Sequence, residues 1–252
     1  MTPIPPNESI SALRGAEQGR LGFVVGSGPS VLQIDFERLA AYPIVVVNSA
    51  ILLAPFACYW CSADPRSTFR ASFEKLVVNG EHKPTVCVIY ETNYLTGIDL
   101  RYPLLADRTF FFQRQNGDGG SFRRSDDRLF NGTSSAHFAA HLAAILGCDP
   151  IVILGCDCGF DANGKRYFFD YPPYSDPYRP DDPWKDDPNL LPLNSKLLSQ
   201  AFVWSWSQAK IEAEKSGVNL INASAGNLGE LKLIDRPAIK KLDLDTILKT
   251  YG

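Results

Sequence analysis

The stretch Leu21-Gly-Phe-Val-Val-Gly-Ser-Gly-Pro-Ser30 decides the predicted fold. Its apolar run ends in a tight glycine turn and a helix-like segment follows, so the pattern predicts a strand that leads into a helix N-terminus. Glycines at such a turn let the backbone approach a ligand closely, and the free N–H groups of the helix start favour an anion. The run lacks the third glycine of G-x-G-x-x-G and the Lys-Ser/Thr of a P-loop. It predicts either a nucleotide or phosphate site or an ordinary turn of an α/β fold.

Composition narrows the class of protein. The chain has 252 residues, a hydrophobic fraction of 45% and a net charge of −3, which is typical of a soluble globular protein without a general attraction to nucleic acid. Residues 1–19 are polar and lack the apolar segment of a signal peptide. The most apolar window, Ile44 to Cys61, is interrupted by Asn48 and Pro55 and predicts two buried strands rather than a membrane span. We therefore expect a cytoplasmic protein with no nucleic-acid partner and no transmembrane segment.

Predicted strands and helices alternate along the chain. This alternation implies a mostly parallel sheet with right-handed crossovers. We predict an α/β, Rossmann-like three-layer fold in which 21–252 is a single domain that follows a flexible segment, 1–20. The polar stretch Gln115 to Asp127 is interpreted as a mobile loop. The predicted strands are Leu21–Val25, Ile44–Val47, Ala57–Ser62, Thr85–Tyr90, Thr109–Gln113, Ile151–Leu154 and Val218–Ile221, and the predicted helices are Ser30–Ala41, Ser67–Val77, Ser134–Leu146, Ser195–Lys215 and Pro237–Lys249.

Small or polar residues follow nearly every predicted strand. In a parallel sheet the carboxyl ends of the strands share one edge, and ligands bind there at the point where the strand order reverses. Such residues also end strands in any α/β protein because they cap and turn the chain. Their convergence on one edge nevertheless favours a cleft for a polar ligand. The residues are Gly26, Ser27, Gly28, Asn48, Asp64, Gly155 to Asp157 and Asn222 to Ser224, together with the helix-opening run Asn131-Gly-Thr-Ser-Ser135.

Cysteine and histidine spacings carry two weaker signals. Cys58-Tyr-Trp-Cys61 and Cys156-Asp-Cys158 are similar to halves of a zinc pattern, but the spacing of the first pair places its thiols on opposite faces of a strand. We predict free thiols and no metal site. His137 and His141 share one face of a predicted helix. We expect two buried histidines, of which His137 lies near enough to the helix start to be a secondary site candidate.

Four sequence blocks resemble one enzyme family. The run from Val25 to Leu39, with Asn48 after the second strand, resembles the N-terminal signature of bacterial sialyltransferases of the Campylobacter type, which reads Gly-Asn-Gly-Pro-Ser-Leu, then Ile-Asp-Tyr, then Asn. The other blocks stand in the family's order. Thr133 to Gly147 resembles the Thr-Ser-Gly helix, Ile151 to Asp157 resembles Ile-Tyr-Leu-Ser-Gly-Ile-Asp, and Asn163 to Asp170 resembles Asn-Gly-x-x-Tyr-x-Phe-Asp.

A related family shares these blocks. It comprises motility accessory factors and archaeal hydroxymethylpterin diphosphokinase-like proteins, and it favours Asp-Pro after the third strand and Gly-x-Asp after the later one. Asp64-Pro65 and Asp157 resemble those two features. The resemblance therefore extends to a superfamily, and both families remain open.

The sialyltransferase resemblance implies a reaction and residue roles. The reaction is inverting transfer of a sugar from a CMP-activated donor such as CMP-sialic acid to a hydroxyl of a glycan acceptor, with no metal cofactor required. Tyr167 then donates to the departing phosphate. A second tyrosine of the family falls near Gly159 or Phe160, neither of which has a hydroxyl group. The residues implied to hold the nucleotide and sugar are Gly26, Ser27, Gly28, Asn48, Thr133, Ser134 and Ser135, with Asp64 where the family has an asparagine.

The general base is the main departure from the family pattern. The sialyltransferases supply a histidine from the loop after the Tyr-x-Phe-Asp block, whereas this chain has no histidine after His141. We expect a carboxylate instead. The candidates are Asp170, Asp176 and Asp181, and Asp157 is also assigned to the catalytic set.

Two alternative functions stay open at this point. Under the diphosphokinase-like alternative, Asp64 and Asp157 hold Mg²⁺ for a pyrophosphoryl transfer to a pterin-like alcohol. The missing histidine and the missing second tyrosine favour the other alternative, a catalytically inactive nucleotide-binding module.

The long segment 161–192 is predicted to form a lid. Its aromatic residues suit stacking on a sugar, and its prolines limit the order that must be gained on closure. The alternative is an aromatic loop that packs on the core or on another subunit. The sequence leaves open whether the chain forms a homo-oligomer.

Overall fold

One parallel sheet forms the centre of the structure, a computed structural model that describes residues 9–54, 56–63, 86–90, 108–115, 120–174, 196–224 and 239–252. Within these residues the sheet contains eight strands in the order β5-β4-β3-β2-β1-β6-β7-β8, and every neighbouring pair is parallel. The strands are β1 (Gly22–Val25), β2 (Ile44–Val47), β3 (Tyr59–Ser62), β4 (Val86–Tyr90), β5 (Arg108–Phe112), β6 (Ile151–Leu154), β7 (Leu220–Asn222) and β8 (Lys240–Lys241).

The strand order reverses between β1 and β6. The chain first adds β2 to β5 on one side of β1 and then adds β6 to β8 on the other side, as in a doubly wound sheet. Val24 is in register with both Val45 of β2 and Ile153 of β6. The predicted α/β, Rossmann-like fold with a parallel central sheet is confirmed. Strand β8 lies where the sequence predicted a helix, Pro237–Lys249, so that prediction is wrong at residues 240 and 241; the two exposed lysines carry no apolar strand pattern.

Buried layers cover both faces of the sheet. Val24 and Val45 belong to one buried cluster, whereas Phe23 and Val25 belong to a second cluster. Because successive side chains of a strand point to opposite faces, these clusters lie on the two sides of the sheet. All four residues of β1 are buried, which explains why the strand reads as a continuous apolar run.

The described residues contain three α-helices: α1 (Ser135–Leu146), α2 (Lys196–Lys215) and α3 (Leu244–Tyr251). Helix α1 lies on β1, β2, β3 and β6, and all of its residues are buried. Helices α1 and α2 correspond to the predicted Ser134–Leu146 and Ser195–Lys215, whereas α3 overlaps only the second half of the predicted helix Pro237–Lys249. The predicted helix Ser67–Val77 lies outside the described residues. None of the described helices has the length and apolar character that a membrane crossing needs.

The segment after the glycine turn differs from the single helix predicted over Ser30–Ala41. It forms two 3₁₀ helices, Pro29–Gln33 and Phe36–Leu39. The Asp35 side chain accepts a hydrogen bond from Glu37 N at 3.2 Å and caps the second helix. Aspartate competes for nearby backbone donors in this way, which interrupts a continuous α-helix.

Residues 9–20 pack against the domain, in contrast to the flexible segment predicted for 1–20. Ile10 and Leu13 are 1% and 3% exposed. The Gly15 N–H group donates to Ile145 O at 3.0 Å, and this bond satisfies a carbonyl in the last turn of α1. Residues 9–20 are therefore packed against α1 and not flexible, and residues 1–8 lie outside the described part of the chain.

A hydrogen-bond network orders the chain around Asp126. Its carboxylate accepts hydrogen bonds from Ser121 Oγ at 2.6 Å, Arg123 N at 2.9 Å and Gln115 Nε2 at 3.1 Å. It also lies 3.3 Å from Nε2 of His141, a fully buried residue of α1. The stretch interpreted as a mobile loop is thus anchored to the helix layer in residues 120–127.

Asp126→Asn is expected to destabilise the fold. Burial opposes ionisation of this carboxyl, but hydrogen bonds from His141 and Ser121 outweigh burial and hold the pKa of Asp126 well below its ordinary value. Loss of the charge weakens these bonds, so we expect the free energy of unfolding to fall by about 1–3 kcal/mol. Urea denaturation at neutral pH measures the change, with the exposed Asp127→Asn as the matched control.

The same pKa shift determines a pH dependence. A carboxyl whose pKa is lowered by folding stabilises the native state above its unfolded-state pKa, and this contribution is lost as the pH falls towards the folded-state pKa. The difference in unfolding free energy between the wild type and Asp126→Asn is therefore expected to be full at neutral pH and to shrink below about pH 4. A difference that stays constant into strong acid contradicts the assigned hydrogen bonds.

Candidate functional site

The loops after β1 and β6 meet at the switch point of the sheet. Gly26 N donates to Leu154 O at 2.8 Å, and Gly28 N donates to Gly155 O at 2.7 Å. Gly155 has a φ of 64°, a left-handed conformation that favours glycine. The predicted glycine turn is therefore joined to the loop that carries Asp157, at the edge where ligands bind in this fold.

Asp157 lies against the start of the 3₁₀ helix Pro29–Gln33. Its Oδ2 accepts a hydrogen bond from Ser30 N at 2.8 Å, and its Oδ1 accepts one from Ser30 Oγ at 2.5 Å. A Cβ atom at Gly28 would lie 2.5 Å from Oδ2, so this close approach requires glycine. A carboxylate of the chain itself thus contacts the helix start where the sequence predicts a ligand anion.

The environment of Asp157 acts on its charge in two opposite ways. The residue is 7% exposed, and this burial raises the pKa of its carboxyl, while the hydrogen bonds from Ser30 oppose the rise. Both oxygens are already used by Ser30. The arrangement suits a group that positions the glycine turn.

The segment that carries Tyr167 docks on the glycine turn. Phe168 N donates to Ser27 O at 2.9 Å, and the Phe168 side chain is fully buried. Asp170 Oδ2 accepts hydrogen bonds from Arg166 N at 3.2 Å and Tyr167 N at 3.0 Å. Two predicted catalytic residues, Tyr167 and Asp170, are therefore brought to the switch point beside Gly26, Ser27, Gly28 and Asp157.

Part of the predicted lid is anchored by hydrogen bonds of Asp161 and by the buried Phe168 side chain. Asp161 accepts hydrogen bonds from Asn163 N and Lys165 N at 2.9 and 2.8 Å, and the Tyr171 hydroxyl also donates to it. Tyr174 packs edge-on against the Phe168 ring at 5.4 Å. The first part of the segment, 161–174, follows this packed course, while 175–192, with Asp176 and Asp181, lies outside the described residues.

A second group of predicted residues lies at the ends of β2 and β3. Asn48 begins the 3₁₀ helix Asn48–Leu52 with a φ of 49°, and its carbonyl accepts a hydrogen bond from Trp60 Nε1 at 2.9 Å. Ser135 Oγ accepts a hydrogen bond from Ala63 N at 3.4 Å. Thr133 and Ser134 precede it, and Thr133 is exposed. Asp64 lies outside the described residues.

His137 has a structural role at the start of α1. Ser134 N lies 3.3 Å from His137 Nδ1, and Ser134 Oγ lies 2.9 Å from the same atom. The ring stacks on Trp206 with centroids 4.2 Å apart. Burial lowers the pKa of His137 to about 3, so the imidazole is neutral at pH 7 and carries no charge for a ligand phosphate.

Two residues near the switch point escaped the sequence analysis. Ser30 holds Asp157, and Arg166 is buried next to Tyr167. Ser30 is the second residue of the helix Pro29–Gln33, whose N-cap is Gly28, so its position carries no capping signal. Arg166 carries no local signal, because two of the rings around its guanidinium, Phe160 and Phe202, come from other parts of the chain.

In the part of the chain that the structure describes, one pocket lies away from the candidate site and no metal cluster is found. A pocket of about 250 Å³ lies at the amino end of β7, opposite to the edge that carries the candidate site, and is lined by Lys210, Glu214 and 217–220. Within the described ranges, no group of three or more His, Cys, Asp or Glu residues is arranged to hold a metal ion. Cys61 and Cys156 are buried free thiols.

Comparison with known proteins links this architecture to one solved structure. No protein-family model and no curated protein matches the chain. The MAf glycosyltransferase from Magnetospirillum magneticum AMB-1 has a TM-score of 0.53 and 14% sequence identity to it, over 86% of this chain and 36% of that one. The chain thus spans little more than a third of that structure's length. At this identity the likeness establishes a shared fold.

Gly28→Ala is expected to loosen the switch point. The added Cβ would lie 2.5 Å from Asp157 Oδ2 and 2.7 Å from Gly155 O, so the two loops must separate. We expect the free energy of unfolding to fall by about 1–3 kcal/mol, measured by urea denaturation. Ser30→Ala removes one hydroxyl without a clash, and its expected cost is about 1 kcal/mol. Wild-type stability of Gly28→Ala would contradict the close approach.

Proposed function

We propose that the protein is a glycosyltransferase that uses a nucleotide-activated sugar. The similarity in fold to a MAf glycosyltransferase supports this proposal. The grouping of Gly26, Ser27, Gly28, Asp157 and Tyr167 at the switch point supports it further, because nucleotides bind at this position in doubly wound sheets. The observation that carries most weight is the hydrogen bond from Phe168 N to Ser27 O, since it holds a tyrosine beside the glycine turn.

In its finer form, the proposal is inverting transfer from a CMP-sugar to a hydroxyl of a glycan. Gly26, Ser27, Gly28 and Asn48 hold the nucleotide, and the run Thr133-Ser-Ser135 holds the nucleotide and sugar. Asp64, which follows β3 in the sequence, is included in this proposed set. Tyr167 donates a hydrogen bond to the phosphate as the bond to the sugar breaks, which stabilises the charge that develops on the leaving group.

The two carboxylates receive different roles in this proposal. Asp157 is buried, and Ser30 engages both of its oxygens, so we assign it to positioning the glycine turn. Asp170 is partly exposed and adjoins Tyr167 through a backbone hydrogen bond. We therefore assign Asp170 as the general base that takes the proton from the acceptor hydroxyl.

A nucleotide-binding assay tests this proposal against the alternatives. Calorimetric titration with CMP, UDP, GDP and ATP, each with and without Mg²⁺, precedes a sugar-transfer screen with the matching donors. We expect CMP to bind without metal and EDTA to leave transfer unchanged. ATP binding that requires Mg²⁺ would favour the pyrophosphokinase, and CMP binding without any transfer would favour an inactive module.

Tyr167→Phe is expected to slow transfer without weakening nucleotide binding. The hydroxyl acts on charge that develops in the transition state, so its loss lowers kcat by about 100-fold and leaves the Kd for CMP nearly unchanged. Tyr251→Phe, at the exposed end of α3, is the matched control. Unaltered turnover in Tyr167→Phe would remove this residue from the mechanism.

A further inference from the structure

A buried arginine lies beside the proposed site, and no described residue forms an ion pair with it. Arg166 is 6% exposed. Its Nη1 and Nη2 atoms are buried, and neither has a hydrogen-bond partner among the residues that the structure describes. The guanidinium group carries a permanent positive charge, and charges are rarely buried in proteins unless they are paired. The unmet donors therefore point to a ligand.

Aromatic rings surround this guanidinium. Its Cζ atom lies 5.2 Å from the ring centre of Phe202, 5.4 Å from that of Phe160 and 6.0 Å from that of Tyr167. Aromatic faces attract a guanidinium, but they offer no oxygen lone pairs to its N–H groups. The rings thus hold the side chain in place and leave its hydrogen-bonding capacity for another group.

The neighbouring carboxylates are engaged elsewhere. Asp170 accepts a hydrogen bond from the backbone N–H of Arg166 at 3.2 Å, and Asp157 is bonded to Ser30 through both oxygens. The same segment docks on the glycine turn through Phe168 N and Ser27 O. The unpaired positive charge consequently belongs to the segment that reaches the switch point.

We propose that Arg166 binds an oxyanion of the ligand, a phosphate or a carboxylate, when the Phe160 side chain moves aside. The planar fork of arginine matches two oxygens of either group. Phe160 is the exposed one of the three rings, at 39%, so it is the ring whose movement would give a ligand access to the guanidinium. The identity of the ligand rests on the proposed function: the oxyanion is the nucleotide phosphate or the carboxylate of an acidic donor sugar. Binding of an anion by Arg166 can be tested whether or not the protein transfers a sugar.

Thermal denaturation with and without inorganic phosphate is the first test. Arg166→Met removes the charge and keeps an unbranched apolar chain among the rings. We expect the ligand-free variant to melt at or above the wild-type temperature, because an unpaired buried charge is lost. Phosphate is expected to raise the melting temperature of the wild type and of Arg38→Gln, an exposed control, but not that of Arg166→Met. The proposal is overturned if Arg166→Met melts at a lower temperature than the wild type and is still stabilised by phosphate to the same extent.

Calorimetry then distinguishes the two sources of the oxyanion. Cytidine, CMP, N-acetylneuraminate and CMP-N-acetylneuraminate are titrated into the wild type, Arg166→Met and Arg166→Lys. If the phosphate is the ligand, Arg166→Met lowers the affinity for CMP by about 10- to 100-fold and leaves the affinity for cytidine unchanged. If the carboxylate is the ligand, the affinity for CMP is unchanged, whereas N-acetylneuraminate and CMP-N-acetylneuraminate bind more weakly to Arg166→Met. Arg166→Lys keeps the positive charge but loses the planar guanidinium. Its affinity for the anionic ligand is expected to lie between those of the wild type and Arg166→Met.

The outcomes also separate this proposal from the proposed function. A wild type that transfers no sugar, yet is stabilised by phosphate through Arg166, retains the anion site and loses the transferase function. An active transferase whose Arg166→Met variant folds and binds all four compounds like the wild type has no anion site at Arg166.

Discussion

The hydrogen bonds between Asp157 and Ser30 are the contact on which the arrangement of the candidate site depends. They tie the end of β6 to the helix start after β1, at the point where the strand order reverses. A carboxylate that accepts from a backbone N–H and a hydroxyl of the same residue fixes both distance and orientation. Once the two loops are held in this way, Ser27 presents its carbonyl to Phe168, and the segment with Tyr167 has a defined place.

Two buried charged residues near this contact differ in their hydrogen bonding. Asp157 is satisfied by Ser30 and positions the protein's own loops. Arg166 is enclosed by aromatic rings that leave its terminal nitrogens without acceptors in the described part of the chain. Buried groups that break the rule of polar satisfaction are characteristic of functional sites. Asp157 therefore has a structural role at the switch point, whereas Arg166 is the residue proposed to bind a ligand.

The histidines of α1 demonstrate how a ligand-like spacing can serve packing. His137 is stacked on Trp206 and interacts with Ser134 at the helix start. His141, one turn later, accepts a hydrogen bond from Phe130 N through its Nδ1 atom and lies next to Asp126. Both rings are buried, so the helix face that they share packs against neighbouring segments of the chain. The described residues around them form no metal cluster.

Much of the architecture follows from the sequence by itself. Continuous apolar runs such as Ile44–Val47 and Ile151–Leu154 predicted strands with the observed bounds, because a strand covered on both faces leaves a local pattern. The placement of small and polar residues after these strands likewise follows from local turn chemistry. The candidate edge of the sheet was therefore accessible from the sequence.

Tertiary structure decided the features that depend on distant partners. The division of Ser30–Ala41 into two 3₁₀ helices, the packing of residues 9–20 on α1, and the pairing of Asp157 with Ser30 have no local signature. The isolation of Arg166 is likewise visible only when Phe202, from α2, lies beside it. Periodicity reports which side of an element is buried, whereas the partner that a buried polar group meets is set by how the elements pack.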